Sequence, residues 1–214
     1  MRAVRGLRLL LTLSAALWFA APAPSPAQDE TASGVFLVAK PQLNDPNFRE
    51  SVVLVTQHAG GSPVGVIINR PTRLTLAEVF PGNEKLRGLP DTLFFGGPVS
   101  TRMLVFVFRA DARPRDSLKV LENVYMSFKQ DLLAELLQRP VPAQDLRIYA
   151  GYSGWGTGQL AHEMARGDWH MVRADPDTIF RTDPAKVWEQ MLARASARQA
   201  LLAPRQGALA VVAD

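Results

Sequence analysis

The chain has 214 residues, 47% hydrophobic and 21% charged, a globular composition long enough to bury a core without covalent staples. Its formal net charge is +4, but removing Arg2, Arg5 and Arg8 from the 24 basic residues, in a segment read below as cleaved, leaves 21 against 20 acidic ones, without the excess that marks a nucleic-acid binder. Cysteine is absent, which excludes disulfides, thiol nucleophiles and thiolate metal sites.

The three arginines open the chain, and Leu9 to Ala21 follows as an almost wholly apolar run. That run is too short to span a bilayer comfortably. It ends in small residues at Ser25-Pro26-Ala27, so residues 1–27 read as a signal peptide cleaved after Ala27, with a periplasmic or secreted product. The competing readings are an uncleaved anchor and a misassigned start, and only the misassigned start would leave the protein cytoplasmic. No later stretch reaches membrane length, so an integral membrane protein is not expected after signal removal. Residues 28–197 read as one domain and 198–214 as a weakly specified tail.

Gly34 to Ala39 is a short apolar run, read as a buried strand. Pro41 to Pro46 is a loop. Ser51 to Thr56 and Val64 to Asn69 are strands, joined by a short turn at His58-Ala59-Gly60-Gly61-Ser62 into a hairpin. Thr75-Leu76-Ala77-Glu78 has capping-box spacing and starts a short helix. Thr92 to Phe95 and Leu104 to Phe108 are strands, and Asp111 to Asp116 is a polar loop. A helix over roughly Lys129–Arg139 carries Leu132, Leu133, Leu136 and Leu137 at helical spacing. A strand at Leu146–Ala150 runs into a glycine-rich turn, with a helix candidate at Gln159–Arg166 and a strand at Trp169–Val172. Asp183-Pro184 opens a last helix with Val187, Trp188, Met191 and Leu192 on one face. Clustered strands with few helices predict an α+β domain rather than regular βαβ alternation.

The sharpest local feature is Gly151-Tyr152-Ser153-Gly154-Trp155-Gly156-Thr157-Gly158-Gln159. Such glycine density lets a backbone pass close to itself or to a ligand. It matches neither the dinucleotide fingerprint nor a phosphate loop with lysine, and Trp155 stands where the nucleophile elbow needs glycine. Two readings stay open: a tight turn pinned by a buried tryptophan, or a ligand-facing loop. Asn69-Arg70 closes a strand with a fork that can clamp an anion or pair with Asp45 or Glu50. Gly96-Gly97 marks close backbone packing or ligand approach. His58-Ala59-Gly60-Gly61 is faintly similar to a lipase oxyanion loop, against a plain hairpin turn. His162 and His170 make no zinc pattern.

In order, Leu37-Val38-Ala39-Lys40-Pro41, Asp45-Pro46-Asn47-Phe48, Ser51 to Val55, Gly65 to Pro71, Phe95-Gly96-Gly97-Pro98-Val99, Gly151 to Leu160 and Gly167-Asp168-Trp169 resemble the YqgE/AlgH family over about residues 33–193. The resemblance implies a compact α+β domain whose mixed bifurcated sheet curls into a pseudo-barrel with helices packed outside. It carries no cofactor, mechanism or substrate. Two departures stand out: Ala161 where the family has an acid after Gln-Leu, with Glu163 two places on, and Arg109-Ala110 where it often has His-Ser.

No nucleophile–base set, metal cluster or cofactor fingerprint is legible, so a non-catalytic binding or regulatory protein is the leading expectation. Its partner would be a small molecule or another protein, not nucleic acid, and no cofactor or metal is expected. The candidate ligand surface comprises Asn69, Arg70, Gly96, Gly97, Ser153, Gly154, Trp155, Gly156 and Gln159. The alternative is a hydrolase or transferase acting on a small anionic or acyl substrate at residues 151–159, with Ser153 as nucleophile; that needs a base within hydrogen-bond reach.

Overall fold

The computed structural model describes residues 34–57, 61–141 and 144–202. The proposed signal segment, His58, Ala59 and Gly60 of the hairpin turn, and the tail from Ala203 lie outside the described residues. In chain order the elements are β1 (Val35–Ala39), β2 (Val52–Gln57), β3 (Pro63–Ile67), β4 (Pro71–Thr75), α1 (Leu76–Val79), β5 (Thr92–Phe95), β6 (Val99–Arg109), β7 (Ser117–Leu121) and β8 (Val124–Ser127). There follow α2 (Gln130–Leu136), β9 (Leu146–Gly154), α3 (Gln159–Arg166), β10 (Trp169–Arg173), α4 (Pro176–Phe180) and α5 (Pro184–Leu202).

The sheet runs β10-β1-β2-β3-β9-β6-β8-β7, antiparallel along this path. It forks at β9. One edge of β9 pairs with β6. The other pairs first, in parallel, with β5 (Tyr149 opposite Phe94) and then with β3 (Ser153 opposite Gly65). Gly151 sits at the fork with φ 71, and a Cβ there would lie 2.5 Å from the Gly97 carbonyl oxygen. Only glycine takes that dihedral without penalty and leaves that space. The sheet then curls until β7 reaches β1 and β2, where the Gly34 N–H donates to Val120 O (2.8 Å) and the Thr56 hydroxyl to Lys119 O (3.0 Å). The expected α+β fold with a curled, forked sheet and outer helices is the one observed.

Strand side chains alternate between faces, and here both faces are covered. Phe36, Val38, Val52, Leu54, Val105, Val107 and Met126 point into the curl, closed by Ile179 and Phe180 of α4 and Val187 and Met191 of α5. Each such buried side chain contributes about 1.5–3 kcal/mol, which holds α5 across β10, β1 and β2. Leu37, Ala39, Val53 and Ile67 face the other way, under Phe48, Trp155, Leu160 and Met164. On β6 and β9, Phe106, Phe108, Leu146 and Ile148 meet Leu133 and Leu136 of α2 and Leu137 at its C-terminal cap. Two-sided coverage explains why these strands read as continuous apolar runs rather than alternating ones.

The Thr75–Glu78 capping box forms reciprocally. Asp183 caps α5, its carboxylate accepting the Ala185 N–H at 3.1 Å. The same Asp-Pro device opens α4 at Asp175-Pro176, where the sequence reading placed no helix. Other differences are instructive. The strand read as Leu146–Ala150 runs on to Gly154, because β3 supplies a new partner past the fork. β6 begins at Val99, not Leu104. β4 and the β7–β8 hairpin had no reading; β4 is largely exposed, and the hairpin turns on Asn123 at φ 59. α5 runs on to Leu202. No helix among the described residues is long and apolar enough to cross a membrane.

Candidate functional site

The nine candidate residues lie on adjacent backbones but on separate faces. Three backbone bonds tie their segments together: Phe95 N–H to Arg70 O (2.8 Å), Ile67 N–H to Gly96 O (2.9 Å) and Gly96 N–H to Ala150 O (2.9 Å). Gly96 and Gly97 are pressed onto β9. A Cβ on Gly96 would stand 2.3 Å from Gly151 O, and one on Gly97 2.4 Å from the Tyr152 carbonyl, with Gly97 at φ 149. That space is filled by protein backbone. Ser153 is fully buried in the same crossing, and its hydroxyl donates to Gly96 O at 3.1 Å. It has a carbonyl for a partner, not a base.

Gly154 and Trp155 line a different feature, an open cleft of about 930 Å3 at one end of the curl. The start of β3 (Pro63, Val64), the start of β6 (Val99, Met103), Leu118 and the end of β9 (Tyr152) form its walls. Phe128 and Tyr152 meet edge to face inside it, ring centroids 5.7 Å apart. The lining is mostly apolar, and its charges are Arg113, Asp116 and Lys129. The Arg113 guanidinium is oriented by two bonds to Ser117 O, at 3.2 Å from Nε and 3.0 Å from Nη2. Volume and lining are those of small-molecule sites: an apolar bowl with a few placed polar groups.

Behind this cleft Trp155 is held by Glu163 of α3. The indole N–H groups of Trp155 and Trp169 both donate to Glu163 Oε2, each at 2.9 Å, and Gln159 Nε2 donates to Oε1 at 3.0 Å. Gln159 in turn accepts the Gly156 N–H at 3.1 Å. One carboxylate thus fixes the 155–159 loop to both α3 and β10. This is the acid two places past the position where the family usually carries one.

Asn69 and Arg70 face elsewhere. The Asn69 amide accepts the Val52 N–H and donates to Glu50 O, both at 2.9 Å, pinning the entry to β2. Arg70 donates to Asn47 O and, at 2.8 Å, to Arg49 O. Burial, then Arg49, lower its pKa, while Asp45 and Glu50 act the other way. With Arg49, Glu50, Trp188 and Glu189 they line a second cleft of about 360 Å3 beside the start of α5.

Met103, Arg113, Phe128 and Lys129 were not singled out in the sequence, and Tyr152 stood in the glycine-rich motif without a site role. They come from four strands and their flanks, two of which had no strand reading, so no local pattern joins them. Arg109 pairs with Asp145 at 3.3 Å and lies 5.4 Å over the Phe180 ring, a packing role at the second departure from the family pattern. Tyr149 is fully buried, its hydroxyl has no hydrogen-bond partner among the described residues, and burial raises its pKa against the pull of Arg147. His162 is exposed on α3, and Nδ1 of His170 lies 3.5 Å from Gln199. Among the described residues no group of three His, Asp or Glu could hold a metal ion.

The sequence profile of the family described as AlgH-like matches residues 36–200. The chain is 35% identical to a UPF0301 protein of Mycobacterium tuberculosis (strain ATCC 25618 / H37Rv) over 183 residues, 84% of this chain and 90% of that one. It is 36% identical to a UPF0301 protein of Myxococcus xanthus over 174 residues, 80% of this chain and 94% of that one. Its fold is similar to the solution structure of AlgH from Pseudomonas aeruginosa, with a TM-score of 0.60 and 30% identity over 86% of this chain and 100% of that one. A crystal structure of a Corynebacterium diphtheriae protein aligns with a TM-score of 0.62 and 25% identity, covering 79% and 90%.

Proposed function

The chain belongs to the AlgH-like family, and from that premise and the geometry above we propose that it is a non-catalytic binding protein, its ligand a small amphipathic molecule with an apolar body and an anionic end. The observation that carries this reading is the 930 Å3 cleft, with Met103, Leu118, Phe128, Tyr152 and Trp155 as its bowl and two cations, Arg113 and Lys129, against one acid, Asp116, on its lining. Burial of apolar surface supplies affinity there, and the exposed Lys129 supplies a cation for a carboxylate or sulfonate. Against the hydrolase or transferase alternative stands the environment of Ser153, buried and bonded to a carbonyl. A nucleophile needs an adjacent base and access to substrate. The same reading has the protein exported, residues 28–214 acting in the periplasm or outside the cell; Arg2, Arg5, Arg8 and the apolar run to Ala21 support it.

Native mass spectrometry of protein purified from its own host without refolding tests both parts. A mass equal to residues 28–214, carrying one small organic anion that is lost in Met103→Glu, is the expected result. A full-length mass would refute cleavage after Ala27, and a small molecule retained equally by Met103→Glu would refute the cleft.

A further inference from the structure

From the second cleft we infer a separate binding site for a zwitterion of the amino-acid class, between Arg49, Arg70, Glu50, Glu189 and Trp188. Among the described residues neither guanidinium makes an ion pair, although each lies in a groove lined by acids. Arg70 is half-buried and anchored through two backbone carbonyls. Two of its five N–H donors are thereby committed, and the remainder stay in a fixed fork. Arg49 is exposed and close enough to Arg70 to act on it as a like charge. Asp45 and Glu50 offset that repulsion in part without making an ion pair, and a carboxylate bound between the two guanidiniums offsets it further.

The acids select the rest of the ligand. Glu50 and Glu189 line the same groove, so a phosphate or dicarboxylate that satisfies the arginines meets two like charges, and a simple cation meets two arginines. A molecule with a carboxylate and an ammonium a few bonds apart meets both pairs. Trp188 supplies the apolar wall: its indole N–H is fixed on Ala39 O at 2.7 Å, which holds the partly buried ring at the groove. The volume, about 360 Å3, lies at the small end of ligand sites. Asn69, bonded at both ends of its amide, keeps Glu50 in place at φ 53.

The indole N–H of Trp188 is a reporter for this cleft, as Trp155 is for the other. The full protein, labelled with 15N, is titrated with the common L-amino acids one at a time, and separately with acetate and inorganic phosphate. The expected result is a saturable shift of the Trp188 indole signal with at least one amino acid, no saturable shift with acetate or phosphate, and Trp155 unmoved. Arg49→Gln and Glu189→Gln change exposed side chains without ion pairs, so the fold is retained, and each weakens binding by about tenfold or more. Absence of a saturable Trp188 shift with every amino acid overturns the inference. So does saturation by phosphate alone, which would make the groove a plain anion site, or undiminished binding by either variant.

Discussion

Replacing Glu163 by alanine removes the acceptor shared by two buried indoles. Trp155 and Trp169 are 4% and 3% exposed, so their N–H groups cannot turn to bulk water. Each buried donor left without a partner costs about 1–3 kcal/mol. Glu163 is itself only half-buried, and water entering the vacated space recovers part of this, so the expected loss is about 2–4 kcal/mol. For a domain of this size that lowers Tm by about 5–15 °C. Glu163→Gln separates charge from geometry. Its amide oxygen can still take both indoles, but its amino group then faces the Gln159 amino group, donor against donor. One exposed bond is lost, and the cost is about 1 kcal/mol. Urea unfolding followed by tryptophan fluorescence measures both variants. The order wild type, glutamine, alanine is expected; an alanine variant within about 0.5 kcal/mol of wild type refutes the shared-acceptor account.

Three further outcomes follow from the same geometry. Gly97→Ala puts a methyl 2.4 Å from the Tyr152 carbonyl at φ 149, and a loss of about 3 kcal/mol or more, read by urea unfolding, is expected. Ser153→Ala removes one buried bond to Gly96 O; about 1 kcal/mol of stability goes, while binding in the large cleft, followed by titration calorimetry, does not change. Asp175 caps α4 through the Thr178 N–H at 2.9 Å and meets Arg194 at 2.7 Å. Burial disfavours its charge, but these bonds outweigh burial and hold its pKa below the ordinary aspartate value. A carboxylate depressed in the folded state stabilises above the unfolded value, near pH 4, and loses that contribution as pH falls through its folded value. Asp175→Asn keeps a capping oxygen but loses the partly exposed ion pair with Arg194, so it costs about 0.5 kcal/mol at pH 7, and melting curves of variant and wild type converge in acid.

What was legible in the sequence was what local chemistry determines. The Thr75–Glu78 box and the Asp183-Pro184 start are devices of four and two residues with few alternatives, and both form. Buried strands announced themselves as apolar runs because both of their faces are covered. β7 and β8 did not, since Ser117, Lys119 and Ser127 break the run and Asn123 gives a turn signal only once its neighbours are known to be strands. The site was harder still. Gly96, Gly97 and Ser153 stood out because close packing and ligand approach call for the same small residues. Here they meet each other, leaving the cleft walls to Met103, Phe128 and Tyr152, residues that carry no signature outside the fold. Arg70 shows the same ambiguity: one guanidinium both ties down residues 47–49 and faces a groove.

The central claim is that the large cleft binds an amphipathic anion. Decanoate, an apolar chain with one carboxylate, tests it most directly when titrated into 15N-labelled protein while the Trp155 and Trp188 indole signals are followed. The account predicts a saturable shift of Trp155, a still Trp188, and a dissociation constant raised about tenfold or more in Met103→Glu, where a like charge enters the exposed rim of the cleft. An unmoved Trp155, or equal binding by the variant, contradicts it.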